Sequence, residues 1–264
     1  MEIIRRHGLV TRLTHWTNVL AISILLFSGL QIFNAHPALY WGEASRFADP
    51  WLSMTAVERG GEMVGLTRLG DTAFDTTGVL GWSGERRGFP EWATLPGYRS
   101  LADGRRWHFF FAWLFVINGA VYLLAGLIGG HFRRDLLPAR DQVGLRHLLH
   151  EIALHARLRF PKGQEARRYN VLQKATYLVV IFLLLPLMVL TGLSMSPGFG
   201  AVGYGLIELL GGRQSARAIH FISASLIVLF VLVHVAMVFA AGAWNNIRSM
   251  ITGRFAIQVE EPRK

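Results

Sequence analysis

The chain has 264 residues, of which 52% are hydrophobic, with a mean hydropathy of +0.35 and a formal net charge of +10. That apolar content argues against an ordinary water-soluble domain and for residence in a bilayer. There is no cysteine, which excludes iron–sulfur clusters, thiolate metal sites, covalently attached c-type haem and disulfides within this chain, so any redox or metal centre must rest largely on histidine.

The N-terminal stretch "MEIIRRHGLVTRLTHW" is basic, as a signal sequence would be. The apolar run behind it is long and lacks a small-residue cleavage site, which predicts a retained first helix over about 13–33. Three more segments reach the length of about 20 mainly apolar residues that a span requires, near 107–129, 171–194 and 216–241. The long connection 34–104 is expected as an outer loop. Its Trp41, Trp51, Trp82 and Trp92 suit either a small folded cap or an aromatic belt at the membrane surface. The connection 130–170 is expected on the inner side, where Leu145, Leu148, Leu149 and Ile152 recur at helical spacing beside Arg146, Arg157 and Arg159, the pattern of a basic amphipathic helix. Within it, His150, Glu151 and His155 read H-E-x-x-x-H. That is one residue longer than the zinc-protease motif and sets the histidines about 140° apart, which argues against a metal site there.

With the N-terminus inside, the inner segments hold 17 Lys/Arg against 7 Asp/Glu, while the outer segments hold 10 of each. The positive-inside rule then places both termini on the cytoplasmic side. The basic character reads as topology and contact with anionic membrane lipids, with no nucleic-acid partner.

Four of the ten histidines fall in the predicted spans: His15, His108, His220 and His234. An ionisable group in hydrocarbon is costly and usually marks a functional site. With alternating helix directions, depth pairs His15 with His234 and His108 with His220. The 14 residues between His220 and His234 correspond to roughly 21 Å along a helix and 40° around it. That geometry suits two stacked macrocycles, each gripped through its iron by two imidazoles. Gly29, 14 residues after His15, and Gly119, 11 after His108, return to nearly the ligand faces, where glycine leaves room for a ring. Arg12, Arg105 and Arg217 each stand three residues before a proposed ligand, where they could meet a ring carboxylate. For any one histidine, polar bonding between helices is the alternative. A proton relay or ion transporter is the rival for the set, but such sites usually need carboxylates near the midplane, and no predicted span contains Asp or Glu.

The stretches "RLTHWTNVLAISILLFSGLQIFNAHPALYWG", "RRWHFFFAWLFVINGAVYLLAG", "YNVLQKATYLVV" and "HFISASLIVLFVLVHVAMV" resemble, over nearly the whole chain, the di-haem cytochrome b subunits that anchor formate dehydrogenase, nickel–iron hydrogenase and thiosulfate reductase. The thiosulfate-reductase-type branch is the closest. The resemblance implies a single all-α membrane domain over 1–264, a four-transmembrane-helix bundle binding two haem b groups, with a long outer loop. It implies His15 and His234 as ligands of the inner haem iron and His108 and His220 as ligands of the outer. It also implies a quinone near the inner haem beside Tyr169, Asn170, Gln173 and Lys174, whose polar groups suit a quinone carbonyl. The alternative for Asn170 is a helix cap. The implied function is electron transport between an extracytoplasmic oxidoreductase, of molybdenum type, and the quinone pool. A stand-alone membrane cytochrome b reacting with a small oxidant such as superoxide is the alternative, with a haem-free ion transporter or anchor behind it.

Overall fold

The computed structural model describes residues 2–138, 170–196, 198–199 and 203–257, with 144, 149, 151, 153 and 154 of the connection between the second and third long helices. The predicted amphipathic helix of that connection, the histidines of H-E-x-x-x-H and Tyr169 lie outside the described residues or nearly so. Four helices are long and apolar enough to cross a membrane: α1 (Leu9–Phe33), α2 (Leu101–Ile128), α3 (Val171–Met195) and, after the short α4 (Tyr204–Leu209), α5 (Arg213–Ala240). A π-helical stretch, Val180–Leu184, interrupts α3. The helices α1, α2 and α5 begin four, six and three residues before the apolar spans read from the sequence; the added residues include Thr11 and Arg12 in α1, Asp103, Arg105 and Arg106 in α2, and Arg213, Gln214 and Ser215 in α5.

The chain divides into two compact units, and each of the four long helices contributes one end to each. The first unit comprises residues 1–17, 118–186 and 226–264. Here strand β1 (Glu2–Arg5) pairs antiparallel with β8 (Arg254–Ile257), the last strand of the chain. The short helix α6 (Ala243–Thr252) runs between two left-handed glycines, Gly242 and Gly253. A helix leaves its last carbonyls unpaired, and α1 supplies donors for two of them: Arg12 Nη1 to Ile251 O at 2.6 Å and Trp16 Nε1 to Met250 O at 3.0 Å. Asn118 on α2 donates to the Thr14 carbonyl on α1 at 2.8 Å.

The second unit comprises 18–117 and 187–225. It corrects the all-α expectation. The connection between α1 and α2 folds as a four-stranded antiparallel sheet in the order β2 (Ala38–Leu39), β3 (Leu52–Arg59), β4 (Glu62–Leu69), β5 (Thr72–Asp75), followed by the small hairpin β6 (Gly81–Trp82) and β7 (Arg86–Arg87). The β3–β4 turn is Gly60–Gly61, both with positive φ, the conformation that a two-residue hairpin demands and that glycine adopts without steric cost. Phe33, Leu39, Leu52 and Met54 form the buried core of this unit, and Phe221 of α5 stacks on Phe33 at 4.9 Å. Asn34 clamps the connection by pairing with both backbone groups of Phe89, at 3.0 and 2.7 Å. The connection is therefore a packed cap on the ends of α1 and α5 within this unit.

Candidate functional site

In the second unit His108 of α2 faces His220 of α5, with ring centroids 6.3 Å apart and planes at 62°. In the first unit His15 of α1 faces His234 of α5 at 6.5 Å and 59°. A metal held at about 2 Å by one nitrogen from each of two imidazoles puts the ring centres roughly 6 Å apart. Either pair can thus hold one metal between its rings.

The His108–His220 pair is oriented by two matched devices. Ser28 Oγ lies 3.1 Å from His108 Nδ1, and Thr191 Oγ1 lies 2.8 Å from His220 Nδ1. Each hydroxyl spends its own proton on a carbonyl one turn back, Ser28 on Ile24 at 2.6 Å and Thr191 on Leu187 at 2.7 Å. The hydroxyl oxygens therefore accept, and Nδ1–H of each imidazole donates. That tautomer leaves Nε2 with its lone pair, the form in which histidine ligates a metal. The next residue in each case is glycine. A Cβ at Gly29 would stand 3.4 Å from His108 Cε1, and one at Gly192 would stand 3.5 Å from His220 Cε1.

The other pair is held differently. His15 Nδ1 is buried and has no hydrogen-bond partner among the described residues. His234 stacks on Phe230 at 5.7 Å, and His15 meets Trp16 edge-on at 5.3 Å. A buried polar nitrogen left unpaired costs about 1–3 kcal/mol, so this pair is built around something other than its own hydrogen bonds. Among the described residues no group of three or more His, Cys, Asp or Glu gathers into a metal cage. Paired imidazoles suit an iron that brings its own in-plane donors, as haem iron does.

The arginines take up other partners. Arg217 donates to the backbone carbonyls of Ala38, at 2.7 Å, and His36, and its guanidinium lies 5.4 Å from the Phe33 ring. His36 itself stacks on Tyr40, whose hydroxyl is 3.0 Å from Nε2. Burial and then the Arg217 charge lower the pKa of His36. Arg12 caps α6, and Arg105 lies over Phe109 at 5.5 Å. Gly29 lies against the His108 imidazole, beside the Ser28 hydroxyl that meets the same ring. Gly119 faces open space, with nothing within 4 Å of a built Cβ.

Of the residues predicted to face quinone, Asn170 is buried and caps α3, its Oδ1 accepting from the Gln173 backbone N–H at 2.9 Å. Lys174 is buried too, and its Nζ donates to the Leu137 carbonyl at 3.2 Å. The cap read as the alternative for Asn170 is therefore real, and its amide nitrogen is not the group that makes it.

A family model described as prokaryotic cytochrome b561 matches residues 6–253. The chain belongs to that family. A protein of Azospira oryzae, "Putative protein-methionine-sulfoxide reductase subunit YedZ1", is 30% identical over 238 residues, covering 90% of this chain and 91% of its own. No solved structure matches the chain. Membership in the cytochrome b561 family implies haem b, and the fit is seen in the donors: paired imidazoles, one pair fixed with Nε2 free and the other holding an orphaned nitrogen. Four spanning-capable helices make this family member a prokaryotic membrane cytochrome b.

Ser28, Thr191 and Gly192 escape the sequence reading. Their signal is a repeated pattern, "FSGL" at 27–30 and "LTGL" at 190–193, a hydroxyl followed by glycine in mid-span. A serine or threonine within a helix ordinarily bonds only its own i−4 carbonyl, so the pattern gains meaning only once the facing histidines are seen.

Proposed function

We propose that this cytochrome b holds two haem b groups, His15 with His234 as one ligand pair and His108 with His220 as the other, and carries electrons between quinone and an extracytoplasmic redox enzyme. The observation that carries the proposal is the matched spacing of the two imidazole pairs, 6.5 and 6.3 Å between ring centres. When bound, haem supplies one-electron chemistry at a potential set by its ligands and surroundings. Ser28 and Thr191 hold the Nδ1 protons and aim Nε2 of His108 and His220. Asn170, Gln173 and Lys174 are the residues that would meet quinone, in the unit that contains His15 and His234.

The name of the Azospira oryzae relative suggests the class of partner, a protein-methionine-sulfoxide reductase. In that reading quinol gives up two electrons and two protons, and the partner uses two electrons and two protons to convert methionine sulfoxide to methionine and water. Electrons then leave the quinone pool. The folded cap between α1 and α2 is the partner's docking side.

The test has two parts. Purified protein should carry two haem b per chain by pyridine haemochrome assay, and His220→Ala or His234→Ala should each remove one. Affinity purification of the native complex should bring down an oxidoreductase that accepts electrons from quinol only through this chain. A ratio of one haem, retained in either variant, would overturn the ligand assignment, and a colourless protein would overturn the whole proposal.

A further inference from the structure

Within the first unit a pocket of about 310 Å³ lies between the N-terminal segment and the turn after α2, lined among others by Arg5, Arg6, His7, His131, Arg134 and Asp135. Three arginines and one carboxylate thus line it. Asp135 is already shared, His131 Nδ1 lying 2.7 Å and Arg134 Nη2 3.2 Å from Oδ2. His7 lines the pocket too, and its pKa is lowered to about 4, by burial first and then by the Arg6 charge. The pocket is also fixed in place. Arg5 is the last residue of β1 in the β1–β8 pair, Arg6 N–H donates to Gly253 O at 2.8 Å, and the Arg6 guanidinium sits 4.3 Å over the Phe255 ring.

The pocket lies where α1 begins and α2 ends, the level at which both spans leave their apolar stretch. The residues next to its lining along those helices are apolar and open: Val10 is 41% exposed, Leu127 68% and Ile128 88%. A cationic cavity at the end of two spans, continuous with exposed leucine and isoleucine, matches a molecule that is anionic at one end and apolar at the other. We propose that this pocket binds the phosphate headgroup of an anionic phospholipid, whose acyl chains lie along α1 and α2. Arginine forks onto phosphate oxygens, and basic pockets at membrane level recognise anionic headgroups. The inference stands apart from the electron-transfer reading, since it uses none of the paired histidines.

The test is native mass spectrometry of the detergent-purified holoprotein titrated with dioleoyl-phosphatidylglycerol, dioleoyl-phosphatidylcholine or inorganic phosphate. One phosphatidylglycerol should be retained in preference to phosphatidylcholine. The double variant Arg5→Gln/Arg134→Gln should bind it roughly 30-fold more weakly, given the usual contribution of two basic residues near a membrane surface. Its haem absorption should match wild type, and Arg134→Lys should stay within a few-fold of wild-type binding. Equal retention of the two lipids, wild-type binding by the double variant, or displacement of phosphatidylglycerol by millimolar phosphate would each overturn the proposal. Should the double variant fail to fold, the wild-type lipid preference and the single variant Arg134→Gln decide by the same criteria.

Discussion

Thr191 and His220 are joined by a hydrogen bond of 2.8 Å whose direction is fixed, because the threonine proton is already given to the Leu187 carbonyl at 2.7 Å. The imidazole must donate, and its far nitrogen must be the free base. Thr191→Val keeps the volume and removes the hydroxyl acceptor, so Nδ1–H loses that partner. A lost partner at a metal-ligating histidine typically weakens the metal site about 10–100-fold. The expected result is a lower retention of one haem of two during dilution, with a shifted midpoint for that haem in a potentiometric titration. Thr191→Ser should restore both values. Retention and midpoint equal to wild type in the valine variant would show that the bond is incidental.

The glycines beside these hydroxyls give a second, steric test. At Gly29 and Gly192 a built Cβ touches the imidazole at 3.4 and 3.5 Å, which is ordinary contact. Alanine is therefore tolerated, and in a helix interior it gains about 0.5–1 kcal/mol over glycine. Leucine has no such room and must push His108 or His220 off its partner. Gly29→Ala and Gly192→Ala should keep two haems, while Gly29→Leu and Gly192→Leu should drop to one, as read by haem-to-chain ratio.

How far the sequence reveals this arrangement depends on which interaction sets each feature. The spans are legible because a bilayer imposes length and apolarity directly, and helical arithmetic places His220 and His234 on one face without knowledge of packing. The first turns of α1, α2 and α5 are not legible that way, because charged and polar residues such as Arg12, Asp103 and Arg213 lower the hydropathy there while the helix continues. The sheet between α1 and α2 has a local signal that composition hides: "RGGE" at 59–62 and "LGDT" at 69–72 are two-residue turns between alternating runs. Strand β5 is exposed along its whole length, so no apolar face announces it. Arg217 shows the opposite limit. Its place three residues before His220 suggests a ring carboxylate, yet the carbonyls of His36 and Ala38, brought in by the cap, compete for the same donors.

Asn170 illustrates how a structural role must be separated from a functional one. Its Oδ1 accepts the Gln173 N–H and caps α3, so Asn170→Ala should cost about 1 kcal/mol of stability whatever quinone does. Asn170→Ser keeps a capping oxygen and removes the amide. Serine at this position should leave haem content near wild type and slow quinone-linked turnover several-fold. Gln173→Ala, whose backbone N–H still meets the cap, should do the same. Unaltered quinone kinetics in both would place the quinone elsewhere.

His7 makes the N-terminal end of the first unit sensitive to acid. Its pKa is lowered from 6.5 to about 4 in the folded chain, so between those values the unfolded segment binds a proton that the folded one does not. Local stability should thus be complete above pH 6.5 and fall progressively as pH drops toward 4. Hydrogen exchange in Glu2–Arg5, the strand just before it, should accelerate relative to intrinsic rates over that window. His7→Gln should flatten the dependence, and a wild-type profile in that variant would assign the effect to another group.

The cap carries the last prediction. Trp92 sits on a single 3₁₀ turn, Glu91–Ala93, and is 79% exposed, whereas Trp82 is partly buried in the small hairpin against β7. Both tryptophans lie in the unit that holds His108 and His220. A large aromatic side chain left open to solvent loses little by being truncated in the free protein, so Trp92→Ala should fold and keep its haem. At the centre of an interface such a residue commonly contributes about 2 kcal/mol or more, a weakening of roughly 30-fold in affinity. Trp82→Ala should instead lower stability, because it removes packing from the cap itself. The measurement is binding of the co-purified oxidoreductase to each variant, alongside reduction of the haems by dithionite as a control on the cytochrome. Trp92 is the docking anchor if Trp92→Ala binds weakly while its dithionite-reduced spectrum is unchanged. Wild-type affinity in that variant would move the docking surface to another face of the cap.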